Sequence, residues 1–188
     1  MKKLLVLVAF LAGCGSTPAP SAPTSPASAV LVDETGKSAA LSEHANKGGL
    51  TVLLFFTPEC PVQKAHDTRM RELVDAYGPR GVKFLAIASE ASSNIAAERD
   101  EAKRRTGMPL LEDKGAALAD ALGVEYSTHV VLLDEEQNVA YSGALDGDRT
   151  HLTDSAERYL KDAIDAKLAK RPVAKAKTEA LGCPLRKH

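Results

Sequence analysis

A run of seven residues rich in β-formers, 50–56 (LTVLLFF), leads straight into Thr57-Pro58-Glu59-Cys60-Pro61. So short an apolar stretch, bounded by turn residues, reads as a central strand buried on both faces. Pro61 suits the first turn of a helix, where its missing N–H costs nothing. Residues 61–77 then carry Val62, Ala65, Met70, Leu73 and Val74 at helical spacing, and Gly78-Pro79 ends the helix. Cys60 therefore stands where a buried strand gives way to a helix. There the unpaired N–H groups of the first turn favour a thiolate over a thiol. Lys64, one turn on, adds to that effect and Glu59 opposes it. A buried Cys is otherwise an inert apolar residue; the strand-to-helix position favours a reactive one.

The remaining pattern alternates in the same way. Residues 30–33 and 37–41 flank Glu34-Thr35-Gly36 as a hairpin, and 82–88 (VKFLAIA) form a second buried strand. Helices are expected at 93–106 and 115–122, strands at 130–133 and 139–142, and an amphipathic closing helix at 150–170. This order predicts an α/β fold with a mixed central sheet and helices on both faces, in one domain spanning 30–170. The tail, 171–188, is basic and weakly patterned and reads as flexible.

Two segments precede the domain. Residues 1–13 have a basic start at Lys2-Lys3, an apolar run too short to span a bilayer, and a small-residue approach to Cys14. Leu11-Ala12-Gly13-Cys14 resembles a bacterial lipoprotein signal. The resemblance implies cleavage before Cys14, lipidation of its thiol, and residence in the cell envelope. In a Gram-negative cell this would be the periplasmic face of the inner or outer membrane. Residues 14–29, nearly all Ser, Thr, Pro, Ala and Gly, read as a tether. The formal charge of -1 and 4% aromatic content give no basic field or stacking platform for nucleic acid. In an oxidising compartment the two other cysteines, Cys60 and Cys183, are able to form a disulfide.

LTVLLFFTPECP, GVKFLAIASE, Met108 to Asp113, ALADALGVE and VVLLDEEQNVAYSGALD, in this order, resemble the thioredoxin fold. The likeness is to its redoxin branch, the AhpC/TSA type, and implies thiol–disulfide or peroxide chemistry at Cys60. Thr57, three residues before the Cys, is similar to the peroxiredoxin Thr whose hydroxyl contacts peroxide. Three features depart from thioredoxin: Cys60-Pro61-Val62-Gln63 lacks the second Cys of Cys-x-x-Cys, Glu59 replaces Trp, and Ser127-Thr128-His129 lacks the Pro that faces the active Cys. The upstream peroxiredoxin Pro is also missing, with Leu53 in its place, and its helper Arg would fall at Arg149.

Thr178 to Leu185 (TEALGCPL) is similar to the Gly-Cys tail of redoxin proteins with a single active-site Cys, implying Cys183 as a resolving thiol. Closing so long a loop as a permanent staple would be worth roughly 4 to 5 kcal/mol, and a free Cys183 is the third reading. His129, just before the strand at 130–133, would lie beside Cys60 and tune it. With Cys60 and Cys183 it would alternatively make a soft Cu(I) site. His66 reads as a surface or core-edge residue, and Asp146-Gly147-Asp148 as a turn. No nucleotide, zinc or calcium motif is present. The expected activity is thus a thiol oxidoreductase or peroxiredoxin-like antioxidant without cofactor or metal, acting on a protein thiol or disulfide or on a peroxide. The rival is a non-catalytic module, either a Cu(I) carrier or a domain with a structural disulfide.

Overall fold

A computed structural model describes residues 25–91 and 94–187. The signal segment 1–13, the lipidation site Cys14, residues 15–24 of the tether, Ser92, Ser93 and His188 lie outside the described residues. The described chain runs through β1 (Val30–Val32), β2 (Ser38–Ala40), α1 (Leu41–His44), β3 (Thr51–Phe55), α2 (Pro61–Tyr77), β4 (Lys83–Ala88), α3 (Ile95–Thr106), β5 (Leu110–Glu112), α4 (Ala117–Leu122), β6 (Val130–Leu133), β7 (Val139–Gly143) and α5 (Tyr159–Leu168).

They build a seven-stranded mixed sheet in the order β2-β1-β5-β4-β3-β6-β7. The two apolar runs of the sequence lie at its centre, β3 parallel to β4 with Val52 opposite Phe84 and Leu54 opposite Ala86. On its other side β3 is antiparallel to β6. Every residue of β3 is buried, and strand alternation sends its side chains into two different cores. Val52 and Leu54 pack with Met70, Tyr77, Ala102, Leu160 and Ile164 of α2, α3 and α5. Leu53 and Phe55 pack with Leu41, Leu118 and Ala119 of α1 and α4. The expected mixed sheet with helices on both faces is what forms. Among the described residues no helix is long and apolar enough to cross a membrane.

Several boundaries differ from the sequence reading. The chain is already packed at Ala29, which is buried behind a turn at Pro26–Ser28. Leu110–Glu112 is a strand that pairs in parallel with β4; three residues are too few to show a period. Gly115 and Ala116 both have left-handed backbones, so the fourth helix starts at Ala117. The closing helix covers only Tyr159–Leu168. Its expected first two turns are diverted because Asp148 accepts hydrogen bonds from the backbone and side chain of Thr153, and Arg69 donates to the Thr153 carbonyl. Such local side-chain bonds compete with helix formation.

The tail is not loose. Thr178 donates its N–H to Ser142 O, and Ser142 donates to Ala176 O, at the edge of β7. The Thr178 hydroxyl also accepts from Ala144 N and bonds the Tyr141 hydroxyl. Gly143 permits this approach, since a Cβ there would lie 2.2 Å from Thr178 Oγ1.

Leu53 joins the centre of the sheet to the α1/α4 core, so Leu53→Ala should destabilise the fold by about 3 kcal/mol through lost burial and a residual cavity. Urea unfolding of the two proteins measures this directly.

Candidate active site

β3 ends at Phe55, and a short turn carries the chain through Thr57 to Cys60, the N-cap of α2. Cys60 N donates to Thr57 O at 3.2 Å, and Lys64 N donates to Cys60 O at 3.0 Å, closing the turn and opening the helix. The Cys60 side chain is only 2% exposed. The loop before β6 faces it. Thr128 N donates to Phe55 O at 2.7 Å, and Phe55 N donates to His129 O at 3.0 Å, fixing this loop across the end of β3. Thr128 has φ +63°, a strained conformation for a β-branched residue, and Ser127 beside it is turned towards Cys60.

The tail supplies the last wall. Ser127 N donates to Cys183 O at 2.8 Å, Cys183 N donates to Ser127 Oγ at 3.2 Å, and Leu185 N donates to Glu125 O at 2.9 Å. Tyr126 and Pro184 form an antiparallel bridge. Gly182 is what lets the two backbones touch: a Cβ there would sit 1.6 Å from Ser127 O. Beyond Cys183, the Arg186 N–H is held by Glu90 at 2.7 Å, and the Lys187 ammonium by Asp120 and Glu125. The strap so anchored brings Cys183 beside Cys60, near enough for each sulfur to shift the ionisation of the other, and both cysteines are free.

The two sulfurs are electrostatically unequal. Burial opposes the Cys60 thiolate, but hydrogen bonds from the Cys183 thiol and the Ser127 hydroxyl, with the N–H of Gln63, outweigh it and hold the thiol below its ordinary range. The Cys60 side chain closes no capping hydrogen bond with the helix, so the Gln63 N–H contributes as an electrostatic partner of the anion. Cys183 is pushed up to about 11, by burial first and then by the neighbouring Cys60 sulfur. The negative charge is thereby placed on Cys60 and the proton on Cys183.

The other residues singled out from sequence stand as follows. Thr57 is buried, and its hydroxyl donates to Glu90 Oε2 at 3.1 Å, so Glu90 links the Cys60 turn to the strap. Lys64 is exposed and lies 3.7 Å from Glu59; the two charges that would act oppositely on Cys60 face one another. His129 does not join the thiols as expected. Its Nε2 is 2.7 Å from the Ser142 hydroxyl and its ring packs edge-on against Phe55. Burial, aided by Lys177, lowers its pKa to about 4. The Cu(I) arrangement of Cys60, Cys183 and His129 is therefore not assembled. Among the described residues no group of three His, Cys, Asp or Glu side chains is placed to hold a metal. Arg149 is exposed.

Sequence reasoning missed Ser127, Glu90 and a buried ionic cluster behind Cys60. His66 and Asp146, read as peripheral and as a turn, are both buried and 3.1 Å apart. Arg69 bonds Asp146 at 2.6 Å and Asp148 at 2.9 Å. The available signal was the spacing of His66 and Arg69 within α2, on the face that also carries Val62 and Met70.

The fold, with Cys60 at the strand-to-helix turn and Cys183 beside it, defines a thioredoxin-like redoxin. The chain belongs to the AhpC/TSA family, whose model matches residues 19–142 and ends before the strap. No curated protein matches it at the sequence level. A hypothetical protein from Sinorhizobium meliloti 1021 shares the fold with TM-score 0.74 and 23% identity over 91% of this chain and 97% of that one. The bacterioferritin comigratory protein of Xanthomonas campestris, described by its alkyl peroxide reduction activity, aligns with TM-score 0.53 and 18% identity over 82% and 96% of the two chains. A secreted Mycobacterium tuberculosis disulfide oxidoreductase aligns with TM-score 0.51 and 18% identity over 61% and 81%.

Gly182→Ala tests the seating of the strap. The added methyl has no room against Ser127 O, so Cys183 should leave Cys60. Cys60 should then become accessible to iodoacetamide well above pH 9, where ionisation no longer limits the rate. An unchanged rate there would show that the strap does not cover the thiol.

Proposed function

We propose that this chain is an envelope-tethered thiol oxidoreductase whose working couple is the Cys60–Cys183 dithiol and disulfide. The observation that carries the reading is the strap, anchored on Ser127, Glu125 and Glu90, that seats a free Cys183 beside the buried, free Cys60. In the forward half-reaction the Cys60 thiolate attacks a peroxide oxygen, the O–O bond breaks, and the alkoxide leaves with a proton as the alcohol. The resulting Cys60 sulfenic acid is attacked by Cys183, releasing water and forming the disulfide. The near-complete burial of Cys60 favours such a small oxidant over the disulfide of a folded protein, which would also oxidise the pair by exchange.

The return half-reaction takes two electrons and two protons from a dithiol donor. Attack is expected on Cys183, the more exposed sulfur, with Cys60 leaving because its thiolate is the better stabilised. Thr57 and Ser127 frame the Cys60 turn in this reading. Lys64 serves at most as an exposed long-range charge, and His129 supports the wall formed by β6 and β7.

Non-reducing peptide mapping of residues 15–188 tests the couple. The reduced protein treated with one equivalent of hydrogen peroxide should yield a Cys60–Cys183 peptide that a dithiol removes. Unlinked peptides after peroxide would refute Cys183 as the resolving thiol. The tether rests on Leu11-Ala12-Gly13-Cys14 and on the need for several acyl chains for stable anchoring. In a bacterial host, Cys14→Ser should move the protein from the membrane fraction to the soluble fraction and abolish incorporation of a labelled fatty acid.

A further inference from the structure

The strap closes over one end of the sheet. β3 lies between β4 and β6, and the Cys60 turn leaves β3 at the edge where β4 ends and β6 begins, with Phe55 opposite Ile87 and Leu54 opposite Val130. On the β6 side the strap is pinned by Ser127, which bonds both backbone polar groups of Cys183, and by the Glu125 carbonyl, which takes the Leu185 N–H. On the β4 side it is pinned by Glu90, two residues past the end of that strand. Ser89 is buried and donates to Asp113 at 2.7 Å, which fixes the backbone that carries Glu90. The Glu90 carboxylate is divided between two tasks. Oε1 accepts the Arg186 N–H at 2.7 Å, and Oε2 accepts the Thr57 hydroxyl at 3.1 Å. The Thr57 carbonyl in turn accepts the Cys60 N–H at 3.2 Å. The Arg186 side chain also approaches Oε1, at 3.5 Å, but it is 82% exposed, and an ion pair so open to water adds little. The holding contacts are the two hydrogen bonds to a carboxylate that is itself only 15% exposed, a setting in which charge-assisted bonds are strong.

We propose that Glu90 is a positioning residue for the disulfide step: by bridging the Cys60 turn to the strap it sets the effective concentration of Cys183 at Cys60, a role that rests on reading the two cysteines as the working couple. The Ser127 and Glu125 contacts all lie on the β6 side, so without Glu90 the strap is hinged on a single loop. Pinned on the β4 side as well, it is confined to the end of β3, and confinement of this kind raises the local concentration of a tethered group. The effect falls on the dithiol. Once the sulfurs are joined, the covalent bond holds Cys183 with or without Glu90. Loss of Glu90 therefore gives the reduced strap a freedom that the oxidised strap lacks, and moves the equilibrium towards the dithiol. With glutathione as the partner the exchange balances: two glutathione thiols and the protein disulfide give the dithiol and one glutathione disulfide. Glu90 exchanges no proton or electron in it.

Equilibration of the full chain in glutathione redox buffers, read as the fraction of Cys60–Cys183 peptide, tests this. Wild-type protein that forms no such peptide at any ratio removes the couple and the clasp together. Where the couple forms, Glu90→Ala should shift the equilibrium towards the dithiol by about tenfold, a potential about 30 mV less negative. Glu90→Gln should stay within about twofold of wild type, because its amide oxygen still takes the Arg186 N–H and its NH2 donates to Thr57, whose hydroxyl is able to accept. Thr57→Val should shift the equilibrium part of the way, and the double variant no further than Glu90→Ala alone, since both changes cut one bridge. An unmoved equilibrium in Glu90→Ala, a Gln variant as weak as the Ala variant, or fully additive effects of Thr57→Val and Glu90→Ala overturn the clasp and leave the couple standing. Should the Ala variant not fold, amide hydrogen exchange of the reduced wild-type protein decides. Protection of the Arg186 N–H comparable to that of Leu185 supports the clasp, and exchange of Arg186 at the unprotected rate refutes it.

Discussion

Keeping a sulfur anion out of water at the end of a central strand is the constraint around which this molecule is arranged. Burial alone favours the neutral thiol, so the Cys60 thiolate depends on donors converging from separate parts of the chain. They come from the first turn of α2, from Ser127 in the loop before β6, and from Cys183 in the strap. The turn from Thr57 to Cys60 positions the first, and the pairing of β3 with β6 fixes the Ser127 loop, with the strap seated on it, across the strand end. Loss of that register would shift the Ser127 hydroxyl and the strap seated on it together.

The strap is held by backbone pairing at two points, and a glycine allows each. Gly143 lets Thr178 reach the edge of β7, and Gly182 lets Cys183 lie against Ser127. Both contacts use hydrogen-bonding groups of an edge strand and a loop, and Leu185 adds apolar packing against the α1/α4 core. Hydrogen bonds of this sort are each worth about 1 kcal/mol net. The strap is accordingly a well-placed but separable element, which suits a segment whose cysteine changes partners.

The sheet was legible in the sequence because its two central strands are continuous apolar runs and its helices have a clear period. The identification of Cys60 followed from one local fact, a Cys between a buried strand and a Pro-initiated helix. The environment of Cys60 was far less legible. Ser127 and Glu90 are ordinary polar residues far from Cys60 in sequence, and only tertiary pairing gives them a role. His129 was expected beside the thiol because its loop lies there. The loop does lie there, but the pairing of Phe55 with the His129 backbone aims the ring at Ser142. Asp146 and Asp148 read as turn residues because acidic pairs in loops usually are. Here they instead neutralise Arg69 and His66, and the same contacts shorten the closing helix.

The missing second Cys of a Cys-x-x-Cys motif changes what the fold must do. In that motif both sulfurs ride on one helical turn, and local geometry sets their approach. Here the turn holds Val62 and Gln63 instead, and the second sulfur, Cys183, comes from the far end of the domain. The approach of the thiols thus depends on long-range contacts: the strained backbone at Thr128, the Ser127–Cys183 pairing, and Glu90 bridging Thr57 to Arg186. A contact closed over so many residues is entropically expensive to form from the unfolded chain. In the folded state, however, the anchored strap holds Cys183 at a high local concentration beside Cys60. That explains why the second thiol need not be a neighbour in sequence to be a neighbour in chemistry.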